Sequence, residues 1–364
     1  MFFNMPVLVY QEKECVVSHS KEIAALGKKA FIITGKVSSK KNGSLNDVVR
    51  ALEQERIEYV IFDEIEENPS VETILKARDF GLNQKVDFVI GIGGGSPLDA
   101  SKAIALMITN SLEGADFLYK KVNKKEALPV VAVPTTCGTG SETTPYAILT
   151  RHDKKTKASI SHQIFPKIAL VDGKYIQNMQ QSVLVSTAID ALGHFIESYL
   201  NTKATPYNKM LCEYGLRIWG KSRDVIAGIR DAIPDDYQNL MLASSIAGMA
   251  ISHTGTSLPH GMSYKVTYTL GIPHGTAVGV FLASYMEEAD PKEVSQILQC
   301  IGFGAVAELR SYIKSVLINV EVDTGFLDEA VMEMISNERK LVNCPFKVDK
   351  ALLREMYISS ISVK

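Results

Sequence analysis

The chain has 364 residues, and 46% of them are hydrophobic. Because a single hydrophobic core stops growing near about 250–300 residues, this length predicts two packed domains. The 39 Lys and Arg residues nearly balance the 41 Asp and Glu residues, and the formal net charge of -2 excludes a bulk attraction to nucleic acid or to an anionic membrane. A small, weakly charged substrate matches this composition better.

The cysteines and the N-terminus indicate the compartment. Five scattered cysteines, an odd number without paired spacing, argue against a disulfide framework and are typical of reduced thiols in a cytosol. The apolar start contains Asn4 and Pro6 and lacks the basic segment and the small-residue cleavage site of a signal peptide. No stretch approaches the roughly 20 apolar residues of a spanning helix. We therefore expect a soluble, cytoplasmic protein.

The first half of the chain alternates apolar runs of strand length with helical patterns. The runs are residues 29–35, 59–63, 86–92, 128–134 and 167–172. Strands separated by segments of helix length, such as the amphipathic stretch Leu45–Arg56, predict parallel pairing through crossovers. This half is predicted to be a doubly wound α/β domain.

The second half has apolar positions at helical spacing. Examples are residues 207–219, 237–251 and 306–318. We place the boundary at Gly173, where the last good strand stops at a turn residue. The predicted domains are therefore an α/β domain of residues 1–173 and an all-helical domain of residues 174–364.

Three glycines, Gly93, Gly94 and Gly95, directly follow the third apolar run. They let the backbone turn sharply and approach a ligand. Ser96 is predicted to cap the next helix, with Pro97 at its first position. The free N–H groups and the positive dipole end of that helix favour an anion, so we predict a diphosphate site here. The alternative is a plain strand–turn–helix connection.

The segment after the first predicted strand differs from the standard dinucleotide fingerprint. It lacks a carboxylate for a ribose 2′-hydroxyl and carries lysines and hydroxyls instead; the candidates are Gly35, Lys36, Ser38, Ser39 and Lys40. Such groups would accommodate a 2′-phosphate, which favours NADP. A solvated basic turn is the alternative. The runner-up ribose ligand, Asp63, would favour NAD.

Four residues in the second half suit a metal site. Asp190 and His194 stand four residues apart in a segment with helical periodicity, so both lie on one helical face, close enough to share an ion. His260 and His274 are each followed by a glycine, whose small size leaves room for a ligand beside the ring. One carboxylate and three imidazoles suit iron or zinc better than calcium or magnesium. Taken singly, each histidine is more often a hydrogen-bonded structural residue.

Several motifs, in order along nearly the whole chain, resemble the iron-containing (group III) alcohol dehydrogenase family. They are GGGSPLD at 93–99, PTTCGTGSE at 134–142, DALGH at 190–194 and the His260/His274 pair. The segment 35–44 is most similar to that of NADP-linked 1,3-propanediol and butanol dehydrogenases. The resemblance implies a Rossmann-like N-terminal domain and a C-terminal helical domain with the active site in the cleft, an architecture also found in dehydroquinate synthases.

The resemblance also implies residue roles. The implied metal ligands are Asp190, His194, His260 and His274, with His260 and His274 at the catalytic centre. The implied cofactor contacts are Gly93, Gly94, Gly95, Ser96, Asp99, Thr135, Thr136, Thr139, Thr144 and Lys157. Many relatives have a further histidine where this chain has Tyr264, so a proton relay would run elsewhere. His253 is a weak candidate for that relay; we expect it to be hydrogen-bonded within the helical domain.

These features predict a metal-dependent alcohol dehydrogenase or aldehyde reductase that transfers a hydride between NADP(H) and a small primary alcohol, diol or aldehyde. Fe²⁺ is the expected ion, with Zn²⁺ as the alternative. One rival is a glycerol-type polyol dehydrogenase that uses zinc and NAD. A sugar-phosphate carbon–oxygen lyase is disfavoured because Lys265 is the one Lys or Arg within 253–281. A non-catalytic nucleotide-binding protein is a third rival. A sheet edge could pair two chains into a homodimer.

Overall fold

The computed structural model describes residues 3–121, 126–154 and 156–364. They form two compact units. The sheet unit comprises Met5–Met179, and the helical unit comprises Gln180–Lys364 together with the described N-terminal residues up to Asn4. The units therefore divide six residues after the predicted boundary at Gly173, and Phe3 and Asn4 belong to the helical unit.

The sheet unit contains eight strands among its described residues. They are β1 (Leu8–Gln11), β2 (Lys29–Thr34), β3 (Glu58–Phe62), β4 (Phe88–Gly93), β5 (Val130–Pro134), β6 (Ile148–Arg151), β7 (Thr156–Ser159) and β8 (Ile168–Val171). Six of them form one parallel sheet in the order β1-β8-β5-β4-β2-β3. This confirms the predicted parallel α/β class.

Three short strands are absent from the sequence prediction. β1 is a partly exposed edge strand, and β6 and β7 form a separate antiparallel hairpin with partly exposed residues. Each of these strands has four residues and includes partly exposed positions, so it lacks the longer apolar run of the predicted strands. The other sheet edge is β3, and pairing of an edge between two chains stays a prediction.

Helices cover both faces of the sheet. They are α1 (Cys15–Ser18), α2 (Ser20–Ala24), α3 (Ser38–Lys41), α4 (Ser44–Gln54), α5 (Val71–Gln84) and α6 (Gly95–Thr109), with 3₁₀ turns at Ala115–Tyr119, Ser141–Thr143, His152–Lys154 and Gly173–Ile176. Alternate residues of β2 point to opposite faces: Phe31 and Ile33 pack in a core with α5 and α6, whereas Ile32 packs in a second core with α1 and α4. The sheet is therefore doubly wound.

The register of β4 and β5 brings two loops together. Gly93 at the end of β4 pairs with Pro134 at the end of β5. Because the carboxyl ends of these parallel strands lie at the same end of the sheet, the glycine loop that follows β4 lies beside the threonine-rich loop that follows β5. The candidate nucleotide site lies at the carboxyl ends of β4 and β5.

The helical unit contains twelve helices among its described residues. Its helices are α7 (Gln181–Leu200), α8 (Pro206–Lys221), α9 (Arg223–Ile226), α10 (Pro234–Thr254), α11 (Leu258–Leu270), α12 (His274–Gly279), α13 (Leu282–Glu287), α14 (Pro291–Ile301), α15 (Val306–Val316), α16 (Thr324–Ile335), α17 (Glu338–Leu341) and α18 (Lys350–Ser360). Two two-residue strands, β9 (Glu321–Val322) and β10 (Ser362–Val363), pair in parallel, so the unit is not wholly helical as predicted.

Helix α7 is the central element of the helical unit. Nearly all of its side chains from Leu184 onward are buried, and it packs against α8, α10, α11 and α12. A helix that is apolar on every side belongs in a core. Polar residues on α7 are therefore held in the interior. Among the described residues, no helix combines the length and apolar character needed to cross a bilayer.

The close packing of α6 on β4 depends on the missing side chain of Gly91. A Cβ there would lie 2.5 Å from Oγ and 3.0 Å from Cβ of Ser101, which is fixed to α6. We expect Gly91→Ala to lower the free energy of unfolding by about 1–3 kcal/mol through overpacking. Calorimetry would show a lower Tm. The control is Gly114→Ala, because a Cβ at Gly114 meets no atom within 4 Å; equal Tm values would contradict the argument.

Candidate metal centre and nucleotide site

The helical unit brings Asp190, His260 and His274 together. One ligand atom from each residue lies within 4.8 Å of the others. Asp190 lies in the middle of α7, His260 in the first turn of α11, and His274 is the first residue of α12. Asp190 and His260 are buried, whereas the side chain of His274 is 33% exposed. The group therefore has one open side.

Two buried atoms of this group face each other without hydrogen bonds. Oδ1 of Asp190 and Nε2 of His260 are 3.4 Å apart, and within the described part of the chain neither has a hydrogen-bond partner. Nε2 of His274 lies 3.9 Å from the same Asp190 oxygen. An unsatisfied buried polar group costs about 1–3 kcal/mol. A carboxylate oxygen and an imidazole nitrogen left in this way fit a cation such as iron or zinc.

His194, the fourth predicted ligand, lies beside this group. Its ring stacks against that of His260, with the centroids 4.6 Å apart. Among the described residues, the set whose ligand atoms all lie within 4.8 Å of one another contains the other three residues. The structure therefore brings three predicted ligands together and places His194 next to them, one helical turn after Asp190.

The electrostatics of the group favour an added positive charge. Burial alone raises the pKa of Asp190, but the charges of His194, His260 and His274 hold that pKa well below its usual range. Burial alone lowers the pKa of His260, but the carboxylates of Glu197 and Asp190 outweigh it and raise the pKa to about 10. The buried carboxylates of Asp190 and Glu197 are thus stabilised by a positive charge beside them, either the imidazolium form of His260 or a metal ion.

The glycines beside the histidines have a packing role. A Cβ at Gly275 would lie 1.8 Å from the carbonyl oxygen of Ser186, and a Cβ at Gly261 would lie 2.7 Å from Sδ of Met334. Gly275 therefore lets α12 lie directly against α7, and Gly261 lets α11 pack against α16. The expectation that these glycines leave room for a ligand is wrong, because other parts of the chain fill that space.

Tyr264 lies beside the metal group, which is the name used here for Asp190, His260 and His274, whereas His253 lies apart from it. The ring of Tyr264 stacks on that of His274 at a centroid distance of 6.0 Å. His253 lies outside the group: its Nδ1 donates to the carbonyl of Met249 at 2.8 Å, and its Nε2 accepts from the backbone N–H of Asn4 at 3.0 Å. It is hydrogen-bonded within the helical unit, as expected.

In the sheet unit, the glycine loop and the threonine-rich loop are in direct contact. Gly93 has φ +150°, a conformation that favours glycine. A Cβ at Gly94 would lie 3.0 Å from Cγ2 of Thr136, and a Cβ at Gly95 would lie 2.8 Å from Cγ2 of Thr139. The backbone N–H of Thr135, which starts the second loop, donates to the carbonyl of Gly93 at 2.9 Å. The predicted residues of both loops therefore lie together.

The predicted helix start at Ser96 is wrong. Helix α6 begins at Gly95 with Gly94 as its N-cap residue, and Ser96 and Pro97 lie inside the first turn. Because glycine adopts many backbone conformations, the helix can begin before Ser96. The hydroxyl of Ser96 instead accepts from the backbone N–H of Asn68 at 3.0 Å.

Asn68 is absent from the predicted set, yet it connects two members of that set. Besides contacting Ser96, its Oδ1 accepts from Nζ of Lys157 at 2.7 Å, and its carbonyl accepts from Oγ1 of Thr150 at 2.7 Å. Burial lowers the pKa of Lys157. The Asn-Pro-Ser turn at 68–70 before a capped helix was the available signal, but it indicates a turn and not its contacts.

Asp99 and Thr144 belong to a buried network around Lys102. The carboxylate of Asp99 accepts from Oγ of Ser141 at 2.5 Å and from the backbone N–H of Ile148 at 2.9 Å. Nζ of the fully buried Lys102 donates to Ser141 at 2.7 Å and to Thr144 at 3.4 Å. This network fixes the threonine-rich loop against α6, and both Asp99 oxygens are engaged by this chain.

The predicted ribose segment follows β2. Nζ of Lys40 lies 2.6 Å from Oδ2 of Asp63, and this contact lowers the pKa of Asp63. Ser39 is buried and its hydroxyl accepts from Oγ1 of Thr34 at 2.8 Å, whereas Lys36 and Ser38 are exposed. The runner-up acid is therefore paired with one of the predicted lysines.

Comparison with protein-family models identifies the family. Residues 6–173 match the model described as iron-containing alcohol dehydrogenase, and residues 184–324 match the C-terminal model of the Fe-containing alcohol dehydrogenase family. The chain belongs to the iron-containing alcohol dehydrogenase family, which confirms the resemblance of its motifs. Membership supports an oxidoreductase and implies binding of iron and NAD(P).

Individual proteins show the same similarity. The crystal structure of an iron-containing alcohol dehydrogenase from Thermotoga maritima has 35% identity and a TM-score of 0.92, covering 99% of both chains. The probable alcohol dehydrogenase EutG of Salmonella typhimurium is 36% identical over 55% of this chain, which is 51% of EutG, about half of its length. The NADPH-dependent butanol dehydrogenase of Clostridium saccharobutylicum is 28% identical over 70% of this chain and 66% of that protein.

We expect Asp190→Asn and His274→Ala to reduce bound metal from about one ion per chain to a small fraction of that value, since each removes a group that faces the same point. Elemental analysis of anaerobically purified protein measures the metal content. The control is His253→Asn, because His253 is hydrogen-bonded elsewhere in the helical unit. Equal metal loss in the control, or full metal content in Asp190→Asn, would reject this site.

Proposed function

We propose that the protein is a metal-dependent alcohol dehydrogenase or aldehyde reductase that transfers a hydride between NADP(H) and a small primary alcohol, diol or aldehyde. The observation that carries the proposal is the buried meeting point of Asp190, His260 and His274, with two unpaired atoms 3.4 Å apart. Fe²⁺ is the proposed ion and Zn²⁺ the alternative.

When bound, the divalent cation supplies Lewis-acid stabilisation of the negative charge on the substrate oxygen. The buried carboxylate of Asp190 and the imidazole of His260 hold the cation from the interior. His274 is the partly exposed member of the group, so the substrate approaches from its side. Because the ring of Tyr264 stacks on His274, it forms one wall of that approach. In this proposal His194 completes the ligand set from its position beside His260.

In the proposal, the sheet unit binds the dinucleotide. The N–H groups at the start of α6 hold the diphosphate, because they are free donors at the positive end of a helix dipole. The hydroxyls of Thr135, Thr136 and Thr139 line the groove beside the glycine loop. Lys157 lies at the same end of the sheet, where Asn68 connects it to Ser96.

The chemistry of the ribose segment supports NADP over NAD. Lys36 and Ser38 are exposed after β2, and Lys40 forms an ion pair with Asp63, the alternative ribose ligand. A lysine-rich turn accommodates a 2′-phosphate, whereas a free carboxylate would repel it. The similar butanol dehydrogenase is named as NADPH-dependent, which agrees with this choice. A zinc- and NAD-dependent polyol dehydrogenase is the alternative.

Activity assays of Fe²⁺- and Zn²⁺-loaded protein test the reaction. We expect aldehyde-dependent oxidation of NADPH with propanal, butanal or 3-hydroxypropanal, and we expect chelation of the metal to abolish it. Glycerol oxidation with NAD, favoured by zinc, would support the polyol dehydrogenase. Absence of activity with every substrate in both metal-loaded forms would support a non-catalytic nucleotide-binding protein.

Gly35→Asp tests the ribose site. The nearest described atom to a Cβ at Gly35 is the carbonyl oxygen of Ile65 at 3.2 Å, so the new side chain fits after a small shift. Its carboxylate would repel a 2′-phosphate and accept a hydrogen bond from a 2′-hydroxyl, so the NADP/NAD ratio of kcat/KM should fall at least about tenfold. The control is Gly35→Asn, which has the same size without the charge. An unchanged ratio in Gly35→Asp would show that the ribose binds elsewhere.

A further inference from the structure

Glu197 is a fully buried carboxylate on the central helix of the helical unit. It lies seven residues after Asp190, which is two helical turns, so both side chains lie on the same side of α7. No motif in the sequence singles it out. Its position places a second acid next to the metal group.

The two oxygens of Glu197 have different partners. Oε1 accepts from the backbone N–H groups of Ser257 and His260, at 3.0 and 3.1 Å. These N–H groups belong to the start of α11, where the N-cap residue Ser257 makes no side-chain cap. Oε2 accepts from Nδ1 of His260. Oε1 thus caps the helix, and Oε2 contacts the imidazole ring.

The contact through Oε2 determines the protonation of the ring. A carboxylate is only an acceptor, so it requires the proton on Nδ1 of His260. In the neutral ring that binds a metal, the other nitrogen, Nε2, then carries the lone pair, and this is the atom that lies 3.4 Å from Oδ1 of Asp190 without a hydrogen bond. A metal ligand needs that lone pair, and carboxylate–histidine pairs commonly orient ligands in this way.

We infer that Glu197 is a positioning residue for the metal centre, which holds His260 in the tautomer and ring orientation that present Nε2 to the cation. This inference rests on the proposed metal-dependent function. It adds a residue outside the predicted ligand set, and it assigns separate tasks to the two oxygens: Oε1 caps α11 and Oε2 orients the ring.

Glu197→Gln separates these tasks. The amide oxygen can still cap α11, but the amide NH₂ then faces Nδ1 of His260 and donates to it. The ring must place its proton on Nε2, the atom needed for the metal. We expect Zn²⁺ affinity, measured by competition with a chelator, to fall about 10- to 100-fold. The control is Glu329→Gln, which makes the same chemical change at an exposed pair with Lys265.

Nitrogen NMR of the unmutated, histidine-labelled protein provides a second measurement that does not depend on a variant. In the Zn²⁺-loaded protein, we expect His260 to show a protonated Nδ1 that is protected from exchange, assigned by its loss in His260→Asn. A ring protonated at Nε2 would overturn the inference. Wild-type Zn²⁺ affinity in Glu197→Gln would overturn it as well.

The same experiment distinguishes failure of the inference from failure of the proposed function. If the unmutated protein binds no Zn²⁺ and no Fe²⁺, the proposed metal centre is wrong, and the role of Glu197 fails with it. If the unmutated protein binds Zn²⁺ and Glu197→Gln binds it equally well, only the role of Glu197 is wrong. Weaker Zn²⁺ binding by Glu197→Gln, with a Tm of the metal-free form close to that of the unmutated protein, supports the inference.

Discussion

The candidate metal centre depends on one constraint: the carboxylate of Asp190 and the imidazole of His260 are buried 3.4 Å apart, and their facing atoms are not hydrogen-bonded to each other. Such an arrangement is unfavourable unless packing enforces it and a cation completes it. Helix α7 supplies the packing, because its interior position keeps the side chain of Asp190 buried. The absence of a side chain at Gly275 lets α12 approach α7 closely enough to bring His274 to the same place.

In the sheet unit, the register between β4 and β5 places a comparable constraint on the two loops of the candidate nucleotide site. Pairing of Gly93 with Pro134 fixes where the two loops leave β4 and β5, and contact between Gly95 and Thr139 leaves no space for a side chain on the glycine. The buried Lys102 then holds the second loop through Ser141. The close backbone approach and the buried Lys102 thus fix the two loops at the carboxyl ends of β4 and β5, where α6 begins.

The sequence predicts the elements with long apolar runs, because hydrophobic periodicity is visible within one segment. It predicts the residue types of the metal group, because they occur in short motifs. It does not predict Glu197 or Asn68. Their contacts with His260 and Lys157 join residues more than sixty positions apart, and their local patterns indicate only a buried helix and a turn. It also misplaces the role of Ser96, since the flexibility of three glycines moves the helix start. The strand β1 is missed because its four residues give a pattern too short to separate a strand from other apolar segments.

Hydrogen bonding distinguishes two aspartates for which the family resemblance implies different roles, a cofactor contact for Asp99 and a metal ligand for Asp190. Asp99 and Asp190 both occur in family motifs, and both are largely enclosed. The oxygens of Asp99 accept from Ser141 and Ile148, so this carboxylate already has partners within the chain. Oδ1 of Asp190 has none among the described residues, although it lies within 4 Å of two imidazole nitrogens. Because a buried carboxylate oxygen without a donor is costly, the pattern at Asp190 indicates a site prepared for a ligand, whereas the pattern at Asp99 indicates a residue that stabilises the adjacent loop.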